Sequence, residues 1–167
     1  LKIEVLARKV NINKSSFYHH FADLEIFIEQ LLEYHIERAK IIAAKERECK
    51  TMIPDLLNVL VEYKEDLLFS RQLRINRNNI LFKECYEKSN QIVGDSILGI
   101  WAAELGLKDN SGLANLVLKL TLDNFYLQIN EETFTYEWLL DFVDEFKLMV
   151  DGFTNNEKRK AFLNGSV

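Results

Sequence analysis

Residues 14–20 read Lys-Ser-Ser-Phe-Tyr-His-His, a run in which every side chain but one can hydrogen-bond. At helical spacing Phe17 and Phe21 share one face, which leaves Lys14, Ser15, Ser16, Tyr18 and His19 to point outward. A lysine and small hydroxyls can reach base edges, while tyrosine and histidine can bond phosphate oxygens. The chemistry of such a face is recognition, not bond making. Patterns that would make or break bonds are missing. There is no HExxH, no ExxH, no Gly-rich phosphate loop and no Ser/His/Asp set. Cys49 and Cys85 form neither a CxxC pattern nor a dense framework, which argues against a zinc ribbon or a disulfide scaffold. His35 sits among glutamates but lacks the Glu three residues before it that diiron bundles use. No catalytic residue, metal or cofactor is therefore expected. The glutamates at 25, 29, 33 and 37 recur every four residues and read as a solvated helix face.

The polar run needs elements to present it. Ile3, Leu6, Ala7 and Val10 recur at helical spacing, so Lys2 to Val10 predicts a short amphipathic helix. Asn11 suits its end and Asn13 is a good N-cap for a second helix over Lys14 to His20. Two short helices joined by a tight turn form a helix-turn-helix, whose second helix enters the DNA major groove. Leu6, Val10 and Ile12 are the partners expected to pin Phe17 and Phe21. A long helix follows, from Leu24 to about Cys49, and ties this pair to the rest of the chain.

Here a resemblance becomes specific. The stretch from Leu6 through Phe21, LARKVNINKSSFYHHF, resembles the DNA-binding signature of the TetR (tetracycline-repressor) family of transcriptional regulators, with Tyr18-x-His20-Phe21 its most specific part. The resemblance covers about 25 residues and implies roles position by position. Lys14, Ser15 and Ser16 fall where family members read bases. Tyr18, His19 and His20 fall where they hold phosphate. Asn13 stands for the usual Ser cap and Asn11 for the usual Gly. Leu24 stands where a Lys often bonds a phosphate, so one anchor is lost. The family's first helix would lie upstream of Leu1, and a segment preceding this chain is expected. Elsewhere the likeness is one of architecture: a linking helix, then a variable helical ligand domain that dimerises through its last two helices.

Composition agrees with a helical protein. Among 167 residues there are 6 Gly and 1 Pro, too few for the turns of an all-β fold, and 48% are hydrophobic, enough for a sizeable core. The net charge is −5, yet residues 1–21 carry Lys2, Arg8, Lys9 and Lys14 against Glu4 alone, a net +3 that leaves −8 for the remainder. A polyanion could approach the basic tip and would be repelled by the acidic body. No apolar run is long enough to span a membrane and no signal peptide opens the chain, so the cytosol is the expected compartment and no membrane partner is expected.

Further helices are expected from Thr51, as cap, with Pro54 in the first turn, to Phe69; over 70–89, where Asn78-Asn79 blur the stripe; on to Leu105, with Gly106 as the stop; from Leu113 to Ile129; and from Tyr136 to Phe153, with a mobile tail after Thr154. The expected architecture is all-α. Residues 1–45 form a helix-turn-helix DNA-binding domain, incomplete at its N-terminus, with its linking helix. Residues 46–167 form a helical-bundle effector-binding and dimerisation domain. Phe82, Tyr86, Trp101, Phe125 and Tyr126 are the expected lining of an apolar effector cavity. Leu113, Leu116 and Leu120, with Leu139, Phe142, Phe146, Met149 and Phe153 at steps of three and four, are the expected homodimer seam. The function this implies is a DNA-binding regulator, a repressor released from a double-stranded operator by a small-molecule or protein effector. The alternative is a helical-bundle enzyme or metal-binding protein that does not bind DNA.

Overall fold

The computed structural model describes Ser15, Ser16, Tyr18 and residues 24–164, with side chains to Asn155. Among these residues every regular element is a helix. The helices are α1 (Leu24–Glu48), α2 (Leu57–Glu62), α3 (Lys64–Ile75), α4 (Ile80–Glu104), α5 (Ser111–Gln128) and α6 (Tyr136–Asn164). The expected all-α class holds.

Where helices start and stop follows from short polar residues and one glycine. The Asn79 side chain accepts hydrogen bonds from the backbone N–H groups of Leu81 (2.9 Å) and Phe82 (3.4 Å) and so starts α4. The pair Asn78-Asn79 thus separates α3 from α4 and does not lie within one helix. Asn110 caps α5 through the Leu113 N–H at 3.1 Å, and the Thr135 hydroxyl caps α6 through the Trp138 N–H at 3.2 Å. Gly106 ends α4 with φ +67°. Its N–H bonds the Ala103 carbonyl, and the Leu107 N–H bonds the Ala102 carbonyl at 2.8 Å. This paired closure satisfies carbonyls the helix would otherwise leave open.

Two boundaries differ from the sequence reading. Thr51 makes no side-chain cap, and Ile53 is extended, so the helix proper begins at Leu57. The Asp55 carboxylate instead ties down the approach to the helix, accepting from the N–H groups of Lys50 and Thr51, each at 3.0 Å. Those two bonds hold its pKa below the usual carboxylate range. At the other end, α6 runs on to Asn164 in place of a loose tail beyond Thr154.

α1 lies along α4, α5 packs on both α3 and α4, and α2 meets α6. Leu32, Ala39, Ile42 and Ala43 are buried, so the helix that was to link two units is bedded in the body for most of its length. The centre is an aromatic cluster. Phe125 meets Phe134 and Phe142 edge-on, and Trp138 stacks on Phe142 at 5.2 Å. Such offset and edge-on pairs suit the quadrupoles of the rings.

Candidate nucleic-acid interface and effector cavity

Ser15, Ser16 and Tyr18 are helical, with Ser15 and Tyr18 exposed and Ser16 half-buried. Asn13, Lys14, His19 and His20, the helix expected over 2–10, and the pins Phe17 and Phe21 lie outside the described residues. Of the seven residues expected to contact DNA, the structure thus describes three, each of them helical. Glu25, Glu29, Glu33 and Glu37 are exposed along α1, as a solvated face requires.

Side chains on α1 and α3 fix how that helix sits. Arg38 donates two hydrogen bonds to Asp66, from Nε at 3.0 Å and Nη2 at 2.7 Å, and its guanidinium lies over the Tyr63 ring at 5.2 Å. This fork-to-carboxylate geometry raises the guanidinium pKa further and orients α1 against α3. One turn earlier the buried His35 pairs its Nε2 with the Ser70 hydroxyl at 3.1 Å, beside the Phe69 ring. Burial pushes the His35 pKa down to about 4, against the opposing pull of Asp66, so the ring is neutral at pH 7.

The expected cavity residues divide. Trp101, Phe125 and Tyr126 are buried and line a small apolar cavity of about 50 Å³, together with residues such as Met52, Leu57, Ile97 and Phe142. That space is far below the ~300–1,000 Å³ of ordinary ligand pockets. Tyr86 faces elsewhere. Its hydroxyl donates to Asp123 at 3.0 Å, a carboxylate that also accepts from Arg74 Nε at 3.2 Å. A buried phenol needs an acceptor, and that need turns Tyr86 from the apolar centre to a polar groove between α4 and α5. The groove holds about 760 Å³ and is walled by Arg77, Lys83, Asn90, Asp95 and Lys119 over a floor of Leu118, Leu122 and Gly94. Sequence reasoning missed it, because its walls are scattered polar residues without periodicity. Phe82 is half-buried and lines neither space.

The expected dimer residues divide as well. Leu139 and Phe142 point into the chain's own core, at 1% and 6% exposure, and are corrected from seam to core. Phe146 is half-buried against Trp101 and Phe142. The remainder stay in solvent: Leu113, Leu116 and Leu120 on α5, and Met149 and Phe153 on α6. Leu127 and Leu148, which the sequence reading did not include, are exposed with them. Leu113, Leu116, Leu120 and Leu127 fall at heptad-like steps and define one apolar face of α5.

Among the described residues no group of three or more His, Cys, Asp or Glu side chains is arranged to hold a metal. No described helix is long and apolar enough to cross a membrane. Cys85 is buried, and burial pushes its thiol up to about 11, away from the reactive thiolate. Comparison with protein-family models, with curated proteins and with solved structures finds no match to this chain.

Proposed function

We propose that the chain is a dimeric helix-turn-helix regulator of transcription, in which the segment around Ser15–Tyr18 reads operator DNA and the helical body controls that binding. The observation that carries the reading is the polar run Lys14–His20 within a basic tip, set against a body of opposite charge. The helical, outward-facing Ser15 and Tyr18 are compatible with it. A row of four exposed leucines on α5 supports the dimer, because a monomer in water gains nothing by exposing it. Paired about a two-fold axis, α5 and α6 of two copies would make a four-helix seam. The two recognition helices would then lie about 34–36 Å apart, one turn of B-DNA.

An effector acts in this scheme by favouring one of two body conformations, which requires unequal affinity for them. The apolar cavity of about 50 Å³ accommodates only a very small apolar group unless it expands, whereas the α4–α5 groove has the volume of a small-molecule site. The deciding experiment is a titration of labelled duplex DNA with the protein at several salt concentrations. Affinity that falls steeply with salt, and a Tyr18→Ala variant that binds every sequence more weakly, are expected. Unchanged affinity and salt slope in Tyr18→Ala would remove the recognition-helix assignment.

A further inference from the structure

Glu46 is the most deeply buried charged side chain in the described structure, at 0% exposure, and it sits near the C-terminal end of α1. Its Oε1 has no hydrogen-bond partner, and its Oε2 is bonded to the Ser96 hydroxyl of α4. That hydroxyl is also 2.7 Å from the Val93 carbonyl. A serine has one proton to give. If Ser96 gives it to Val93, the close contact with Glu46 needs a proton from the carboxyl itself. The groups facing Glu46 are the Ser96 hydroxyl from α4, the Tyr126 phenol from α5, and Arg47 and Cys49 from its own end of α1. Of these only Arg47 is a cation, and it makes no hydrogen bond to the carboxyl. An ionised carboxylate here would be buried with one oxygen bare, an arrangement of high cost.

We propose that Glu46 is a proton-operated latch: protonated, it closes the end of α1 onto α4 through Ser96, and ionised, it releases that end to water. Burial pushes its pKa up to about 7, despite the opposing effects of Ser96 and Arg47, so the latch works across neutral pH. Because the released carboxyl returns to an ordinary value near 4.5, opening is favoured as pH rises from there and levels off above about 7. His35 on the same helix titrates in the opposite sense; it lies three turns away against Ser70 and Phe69, and its one link toward Glu46 runs through Ser70 to the Tyr126 phenol, which stays neutral throughout this pH range. The release is therefore local to the C-terminal part of α1. The latch stands on the fold alone; only its effect on DNA affinity rests on the regulator reading.

The test is amide hydrogen exchange of the full chain at pH 5.5 and pH 8, corrected for intrinsic rates. Opening at residues 42–48 should be more than tenfold greater at pH 8 in the wild type, with residues 32–36 much less affected. Glu46→Gln, which carries the neutral shape permanently, should abolish the difference. Equal protection at both pH values in the wild type, or the same pH dependence in Glu46→Gln, would overturn the latch. The carboxyl carbon of Glu46, followed by NMR in the wild type, gives a reading independent of any variant. A midpoint near 7 supports the proposal, and one near 4.5 overturns it. DNA affinity measured in parallel separates the two readings, since a latch that titrates in a protein indifferent to DNA leaves the latch intact and removes the regulator.

Discussion

Two buried ionisable groups on α1 pull stability in opposite directions with pH. Neutral His35 has a folded pKa below its unfolded value of 6.5, so its contribution is complete above 6.5 and is lost as pH falls toward about 4. Glu46 has a folded pKa above its unfolded value of 4.5, so its contribution is complete below 4.5 and is lost as pH rises toward about 7. Over the shared window the two slopes offset each other. Thermal unfolding from pH 4 to pH 8 should therefore be flat for the wild type between about 4.5 and 6.5. Glu46→Gln should uncover the His35 limb, with a Tm that falls below pH 6.5, and should exceed the wild type at pH 8 by on the order of 2 kcal/mol. At the end proposed to face DNA the residue-level expectation is one of kind. Lys14 or Ser16 substitutions should relax preference at particular base pairs by ~1–3 kcal/mol. Tyr18→Ala should instead weaken all sequences alike, read by competition with non-operator DNA.

At the scale of elements, the stops and starts are the testable features. Gly106 has φ +67°, a region that costs an L residue about 1–2 kcal/mol. A Cβ there meets nothing within 4 Å, so Gly106→Ala isolates the backbone cost, and a loss of about 1 kcal/mol in urea unfolding is expected. Asn79→Ala removes the cap of α4 and should cost a similar ~1 kcal/mol. Gly106 was legible in the sequence because a lone glycine after a periodic run has one common use. Asn79 was not, because a cap and a polar interruption look alike until the chain direction changes. Thr51 misleads for the opposite reason: a good capping residue is present, but the extended Ile53 delays the helix, and Asp55 reaches back to the N–H groups of Lys50 and Thr51 instead. In the cavity, Trp101, Phe125 and Tyr126 were legible as large apolar groups that must be covered. Tyr86 was not, since only the position of Asp123 decides where its hydroxyl goes. Helical spacing put Leu139 and Phe142 in the same stripe as Met149 and Phe153. It could not tell that the body covers the first two and stops short of the others.

At the scale of the whole molecule, the described residues leave apolar side chains of α5 and α6 exposed, and the proposed dimer would cover them. Leu116 and Leu120 are 54% and 62% exposed, so a charge at either should leave the folded monomer nearly unchanged, within about 0.5 kcal/mol. The same charge at a dimer seam would be buried and repelled. Light scattering at micromolar concentration should find the wild type dimeric and Leu120→Glu monomeric, with similar circular dichroism. Phe146→Glu is a poorer probe, because Phe146 packs on Trp101 and Phe142 within its own chain and its loss strikes the fold first. A monomeric wild type would remove the two-half-site scheme.

The apolar cavity lined by Trp101, Phe125 and Tyr126 has a mechanical consequence. Its 50 Å³ corresponds to about 30 mL/mol, comparable to the whole volume change with which a small domain unfolds, ~20–100 mL/mol. A space with an apolar lining stays dry and is lost when the chain opens, so the open state occupies less volume. Hydrostatic pressure should therefore unfold this body more readily than a void-free bundle of its size. High-pressure tryptophan fluorescence, to which both Trp101 and Trp138 contribute, should show the transition moving to higher pressure when a larger side chain fills the gap, as in Val143→Ile.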